Sequence, residues 1–295
     1  MPEFMPDLAG ELTPLIARLQ SHLEIVVGDR NPYLAAGKHR LVQQYIAEQW
    51  TQWGPVDRHT FEVRGTTHTN WILKLPPRDA AHRQAAPIVV GAHYDTVPGT
   101  PGADDNASGV VVLLELARYA AHHLPHRPLW CVAFDMEEYG MLGSTAYAET
   151  LHTRQQPLRL MLSLEMLGYC DRSPGTQHYP HPLLRALYPN WGDFIALVGN
   201  PATVPDLLRL RQHLGRVPVP CQWLPVPNRG RWVPSTRLSD HAPFWDRGYR
   251  AMMVTDTAFL RNPHYHQPSD RLETLDLPFL AAVCQGLMVG LTTLQ

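Results

Sequence analysis

Short apolar runs, each closed by acidic residues or histidines, restrict this chain more than any other feature. Pro87-Ile-Val-Val-Gly-Ala92 runs into His93-Tyr94-Asp95. Leu129–Phe134 runs into Asp135-Met136-Glu137-Glu138, and Leu158–Leu164 into Glu165. Arg250–Thr255 leads into a loop that reaches His264-Tyr265-His266. A continuous apolar run of this length suits a strand covered on both faces, the habit of parallel strands in α/β proteins. Between these runs the apolar spacing turns helical, at Ala107–Ala121 and Met141–Leu151. The chain opens with helical patterns at Leu8–Val27 and Gly37–Trp53 and strand patterns at His59–Val63 and Asn70–Leu75. It closes with a short helix near His241–Trp245 and a long one over Leu277–Leu291. Strands alternating with helices predict an α/β layer around a largely parallel sheet.

The 295 residues are read as one domain, 1–295, with an insertion or lid at about 169–237. That stretch is dense in Pro, Arg, Trp and Tyr, yet still holds a predicted strand at Asp193–Val198 and a helix at Thr203–His213. Charged residues make up 18% and the formal net charge is −2, which excludes a disordered polyelectrolyte and gives no electrostatic footprint for nucleic acid. No apolar window is long enough to span a membrane. Glu3, Asp7 and Glu11 stand where a secretory leader would be basic and then apolar. Cys131, Cys170, Cys221 and Cys284 form no C-x-x-C pair. A cytoplasmic chain with reduced thiols is therefore expected. Nothing in the sequence sets an oligomeric state.

In open α/β sheets the ligand crevice lies at the carboxyl ends of the strands. Histidines and carboxylates recur there, and that donor set suits divalent cations. Asp105 follows His93 by 12 residues, inside Gly102-Ala-Asp-Asp-Asn-Ala-Ser-Gly109 at the mouth of a helix. The bland alternative is a helix cap, a task Asp and Asn do well. Asp95 is close enough to accept the second imidazole N–H of His93 and fix its tautomer. Glu137 and Glu138 repel one another unless something compensates them. A metal would bind one and leave the other free as a base, whereas a solvated helix start would need neither. His122, His123 and His126 sit at a helix end, where the dipole favours them, and no metal role is assigned to them. Trp223, Trp232, Arg229, Arg231 and Arg237 either line a pocket or lie on a solvated loop.

Taken together, Gly91-Ala-His-Tyr-Asp95, Gly102–Gly109, Glu137-Glu-Tyr-Gly-Met-Leu-Gly-Ser144, Ser239-Asp-His241 and Pro263-His-Tyr-His266 resemble the co-catalytic zinc exopeptidases of the leucyl-aminopeptidase type. That family also includes glutaminyl cyclases and transferrin-receptor-like domains. The resemblance implies a three-layer α/β sandwich, with helices on both faces of a central mixed, mostly parallel sheet. It implies two divalent ions, zinc first and cobalt or manganese as substitutes. By position, Asp105 is the bridging ligand, His93 and Glu165 complete one metal site, and Glu138 and His266 the other. Glu137 matches the general base and Tyr265 a phenol that donates to the oxyanion. Asp95 matches the carboxylate behind His93, while Asp240 and His241 match supporting residues. His264 shares the loop of His266, but the family spacing selects His266. The family often has Asp where this chain has Glu165. The peptide bond after the bridging aspartate, here Asp105–Asn106, is expected to be cis. The implied activity is aminopeptidase hydrolysis of a small peptide or aminoacyl substrate. Two alternatives stand beside it. One is a glutaminyl-peptide cyclotransferase, which Asp240-His-Ala-Pro-Phe244 fits but Tyr265, where cyclases carry Trp, does not. The other is a peptidase-like binding module without metal.

Overall fold

The computed structural model describes residues 12–294. Eight strands form one sheet: β1 (Val56–Val63), β2 (Thr66–Leu75), β3 (Ile88–His93), β4 (Leu129–Phe134), β5 (Leu160–Glu165), β6 (Ile195–Gly199), β7 (Cys221–Pro225) and β8 (Ala251–Thr255), in the order β1-β2-β4-β3-β5-β8-β6-β7. The central strands β4, β3, β5 and β8 run parallel, as do β6 and β7. The pairs β1–β2, β2–β4 and β8–β6 are antiparallel. The mixed, mostly parallel sheet with helices on both faces is the α/β fold expected from the sequence.

The apolar runs are continuous because both faces are covered. Leu160, Leu162 and Leu164 of β5 enter one core and Met161 the other, and Met252 and Val254 of β8 face away from Ala251 and Met253 in the same way. The larger core packs against α1 (Leu12–Val26), α2 (Ala36–Thr51), α3 (Gly109–His122), α6 (Val204–Leu214) and α8 (Leu277–Thr293). The smaller packs against α4 (Leu142–Thr153) and α7 (Ala242–Asp246). Residues 8–11 of the first predicted helix lie outside the described residues. No helix among the described residues is long and apolar enough to cross a membrane. The four cysteines are free thiols, three of them buried.

Segment 169–237 supplies β6, β7 and α6, together with the short α5 (Pro182–Leu187). Leu207, Leu210 and Leu214 of α6 join the larger core alongside Leu280 and Leu287 of α8. β7 is not readable in advance, being a five-residue strand that ends on Pro225. The helix expected from Ala107 begins two residues later, at Gly109. Ala103–Ser108 instead forms a wider turn, in which Asp105 and Asn106 have non-helical backbone angles. Parallel pairing brings the strand ends to one edge, with His93 beside Phe134 and Glu165 beside Thr255.

Candidate metal centre

At that edge Asp105 stands between two imidazoles. Its Oδ1 is 3.3 Å from His93 Nε2 and its Oδ2 is 3.1 Å from His266 Nε2. Glu165 Oε1 approaches His93 Nε2 at 3.7 Å, and Glu138 Oε2 approaches His266 Nε2 at 3.2 Å. Two candidate ligand sets result, His93/Asp105/Glu165 and Asp105/Glu138/His266, each with its donor atoms within 4.8 Å of one another, and Asp105 belongs to both. Glu137 belongs to neither set, although its Oε2 lies 4.0 Å from His93 Nε2.

Hydrogen bonds between turns hold these side chains. Asp95 sits 3.5 Å from His93 Nδ1, but its carboxylate also accepts the backbone N–H groups of Glu137 (3.0 Å) and Glu138 (3.2 Å). One carboxylate therefore serves the β3 end and the β4 end together. Asp270 accepts the backbone N–H groups of Asp104 and Asp105 at 2.9 and 3.1 Å. The Asp105–Asn106 peptide bond is cis, as the resemblance implied. Asn106 donates to Leu164 O at 2.8 Å and accepts from Met166 N at 3.1 Å, joining this turn to the β5 end. Ser239 donates to Glu165 Oε2 at 2.7 Å, which steadies the longer side chain found where the family often has Asp. The sequence does not single out Asp270, and it shows Asn106 and Ser239 in their motifs without these roles, because each is distant in the chain from the group that it holds.

The electrostatics suit a cation. Burial pushes the Glu137 carboxyl well above its ordinary range; His93 opposes this, and Glu165, Asp240 and Glu138 add to it. Burial and the neighbouring Asp105 raise Glu138 to about 7 against the pull of His266. Burial also raises Glu165. Asp105 is buried too, yet its two histidine partners hold it well below the carboxylate range. Burial works against charge on His266, but Asp105 and Glu138 lift it to about 10. Both ring nitrogens of His93 are buried without a hydrogen bond, although carboxylates surround Nε2. Buried polar atoms are normally paired, and a divalent ion would satisfy Nε2 and neutralise the facing carboxylates together. The residues therefore fit a metal.

Tyr265 stacks on His266 with ring centroids 3.7 Å apart, and burial raises its phenol above the ordinary value, so that it remains a donor. Asp240 is fully buried, neither oxygen is hydrogen-bonded, and burial lifts it to about 7. His241 turns away from the ligands and bonds Thr236 O at 2.8 Å, with burial lowering it to about 4. His264 bonds Ser269. His122 and His123 pack on Trp53 and Tyr119, and His126 contacts Arg78.

A cavity, open at its mouth, adjoins the cluster and is bounded there by Glu165 and Tyr265. Leu184, Tyr188, Phe194, Trp223, Met253 and Phe259 make its lining mostly apolar. Trp232 is 72% exposed and outside this lining, while Arg229, Arg231 and Arg237 gather at Asp246 instead.

Fold and site together define an α/β protein with candidate divalent-metal ligands gathered at its strand ends. Residues 70–197 match peptidase family M28, and the chain belongs to that family. It is 36% identical over 258 residues to the uncharacterized protein YfbL of Escherichia coli strain K12, an alignment that covers 83% of this chain and 77% of that one. It is 39% identical to aminopeptidase YwaD of Bacillus subtilis strain 168 over 103 residues, 35% of this chain and only 22% of YwaD. The fold superposes on the LapA aminopeptidase of Legionella pneumophila with a TM-score of 0.73 at 18% identity, covering 99% of this chain and 76% of the other. A Bacteroides thetaiotaomicron glutaminyl cyclase is similar at a TM-score of 0.67 and 17% identity, covering 96% of this chain and 98% of the cyclase.

Proposed function

We propose that the chain is a metal-dependent aminopeptidase that releases apolar N-terminal residues from small peptides, all 295 residues serving as one catalytic domain. The observation that carries this reading is Asp105, with one oxygen toward His93 and the other toward His266, shared by two ligand sets. Two divalent ions held by His93, Asp105, Glu138, Glu165 and His266, zinc being the first choice, would supply Lewis acidity and lower the pKa of a water molecule. Glu137 acts as the base: its raised pKa suits accepting a proton at Oε2 and passing it to the leaving amine. Tyr265 donates its phenolic hydrogen to the developing oxyanion. Glu165 faces the substrate's amino group at the mouth of the cavity. Beyond Glu165, the apolar, aromatic-rich lining receives the first side chain, because hydrophobic transfer favours its burial there. The free thiols fit a reducing compartment, and a cytoplasmic location is part of the proposal.

The test is a panel of aminoacyl and peptide substrates with added zinc, cobalt or manganese. Release of leucine or phenylalanine from peptide N-termini is expected. Ammonia release from an N-terminal glutaminyl peptide, without amino-acid release, would overturn the peptidase reading in favour of cyclisation.

A further inference from the structure

Arg30 lies just beyond α1 and is fully buried. No carboxylate among the described residues is within ion-pair distance of it, and burial alone makes such a charge expensive. Its guanidinium ends on backbone carbonyls instead. Nε donates to Tyr94 O at 2.9 Å. Nη1 donates to Val26 O and Gly28 O, each at 3.1 Å, and to Pro101 O at 2.9 Å. Nη2 donates to Gly102 O at 2.9 Å. Tyr94 follows His93 directly, and Gly102 precedes Asp105 by three residues. The fork therefore ties the segment carrying one candidate ligand to the segment carrying the shared one.

Surrounding contacts reinforce that tie. Arg30 N donates to Thr96 Oγ1 at 2.8 Å, and Gly28 N to Pro101 O at 2.8 Å. The next residue, Asn31, donates to Thr96 O and to the hydroxyl of Tyr139, which follows Glu138. At Gly102, φ is +58°, and a Cβ there would stand 2.8 Å from Arg30 Nη2 and 2.3 Å from Asp105 O, so the turn is packed directly onto the guanidinium.

We propose that Arg30 is a positioning residue for the metal centre, its guanidinium setting the separation of the His93 and Asp105 segments through hydrogen bonds to both. The proposal rests on His93 and Asp105 being metal ligands. A lysine supplies the charge at one nitrogen and cannot span the same carbonyls, because only the planar fork presents donors in several fixed directions.

The experiment compares wild type, Arg30→Lys, Arg30→Met and Asp105→Asn with Arg159→Lys as a destabilised control. Arg159 pairs with the buried Asp206 of α6 just before the amino end of β5, the end of that strand opposite Glu165. Each apoprotein is titrated with Co²⁺ well below its own melting temperature, and the visible spectrum of the bound cobalt is recorded. Residues behind metal ligands typically contribute about 10–100-fold in affinity. Arg30→Lys is expected to weaken cobalt binding within that range and to alter the spectrum, whereas Arg159→Lys lowers the melting temperature and leaves affinity and spectrum unchanged. Wild-type affinity and spectrum in Arg30→Lys would overturn the proposal, as would a loss no larger than that of the control. If Arg30→Met fails to fold, the lysine variant carries the comparison. If Asp105→Asn binds cobalt as wild type does, the ligand assignment fails first and the Arg30 proposal with it.

Discussion

On the side of the cleft that carries the candidate ligands, the turns that bear them are tied to neighbouring turns. Asp95 joins the β3 and β4 ends, Asn106 reaches the β5 end, Asp270 holds the Asp104 and Asp105 amides, and Ser239 holds Glu165. On the cavity side, Leu184, Tyr188, Trp223 and Phe259 come from short elements and loops and meet chiefly as apolar surface. Directional bonds fix atoms to a few tenths of an ångström, whereas apolar packing fixes volume and tolerates exchange. The first wall should therefore fail outright when altered, and the second should retune.

The largest effect is expected from chelation. Metal-free protein should lose turnover completely and recover it with zinc, cobalt or manganese, measured by amino-acid release. Activity that survives complete removal would break the assignment of the polar wall. Glu137→Gln should follow, with turnover lower by about 10²–10⁴-fold and metal content unchanged by elemental analysis. Near-normal turnover would remove Glu137 from its role as base.

The cavity wall should respond more mildly. Leu184 and Phe259 are partly exposed at the rim, so truncating either to Ala should cost little stability. Each should lower kcat/KM for a phenylalanyl peptide by about tenfold relative to an alanyl one, the low end of what a changed apolar pocket contact is worth. An unchanged ratio would mean that the first side chain binds elsewhere.

The smallest effect concerns the support behind the polar wall. Asp135 is buried, which opposes its charge, but His39 at 2.8 Å and His68 at 3.0 Å hold its carboxyl at about 2, below its ordinary 3.8. A carboxyl lowered by folding adds stability above its unfolded value, and that contribution is lost as pH falls through the folded one. The gap in urea midpoint between wild type and Asp135→Asn should therefore narrow as pH falls from about 4 to about 2. A constant gap would mean that these histidines do not set its ionisation.

The fold was largely legible because its signal is local. Ile88–Ala92 carries no polar side chain and Leu160–Leu164 is interrupted only by Ser163, and that pattern has few solutions besides a strand covered on both faces. The ligand candidates were legible for a related reason: each sits directly after such a run or inside a compact motif. The sequence leaves Trp223 open between pocket and solvent and does not announce β7, the strand that carries it. A five-residue strand ending on proline has no periodicity to read, and its place is set by pairing with β6.

By itself, then, the sequence determined an α/β layer, the strand ends at which its chemistry gathers, and the residue types offered there. Tertiary structure alone decided that His241 serves Thr236 while Asp240 is buried unpaired, and that Asp95 holds two amides as well as facing an imidazole. It also decided that Arg30, with no motif around it, reaches across to the segments of His93 and Asp105. Apolar periodicity is written along the chain, because neighbouring residues share an element. A hydrogen bond between turns about 40 or 70 residues apart depends on chain crossings that no local pattern records.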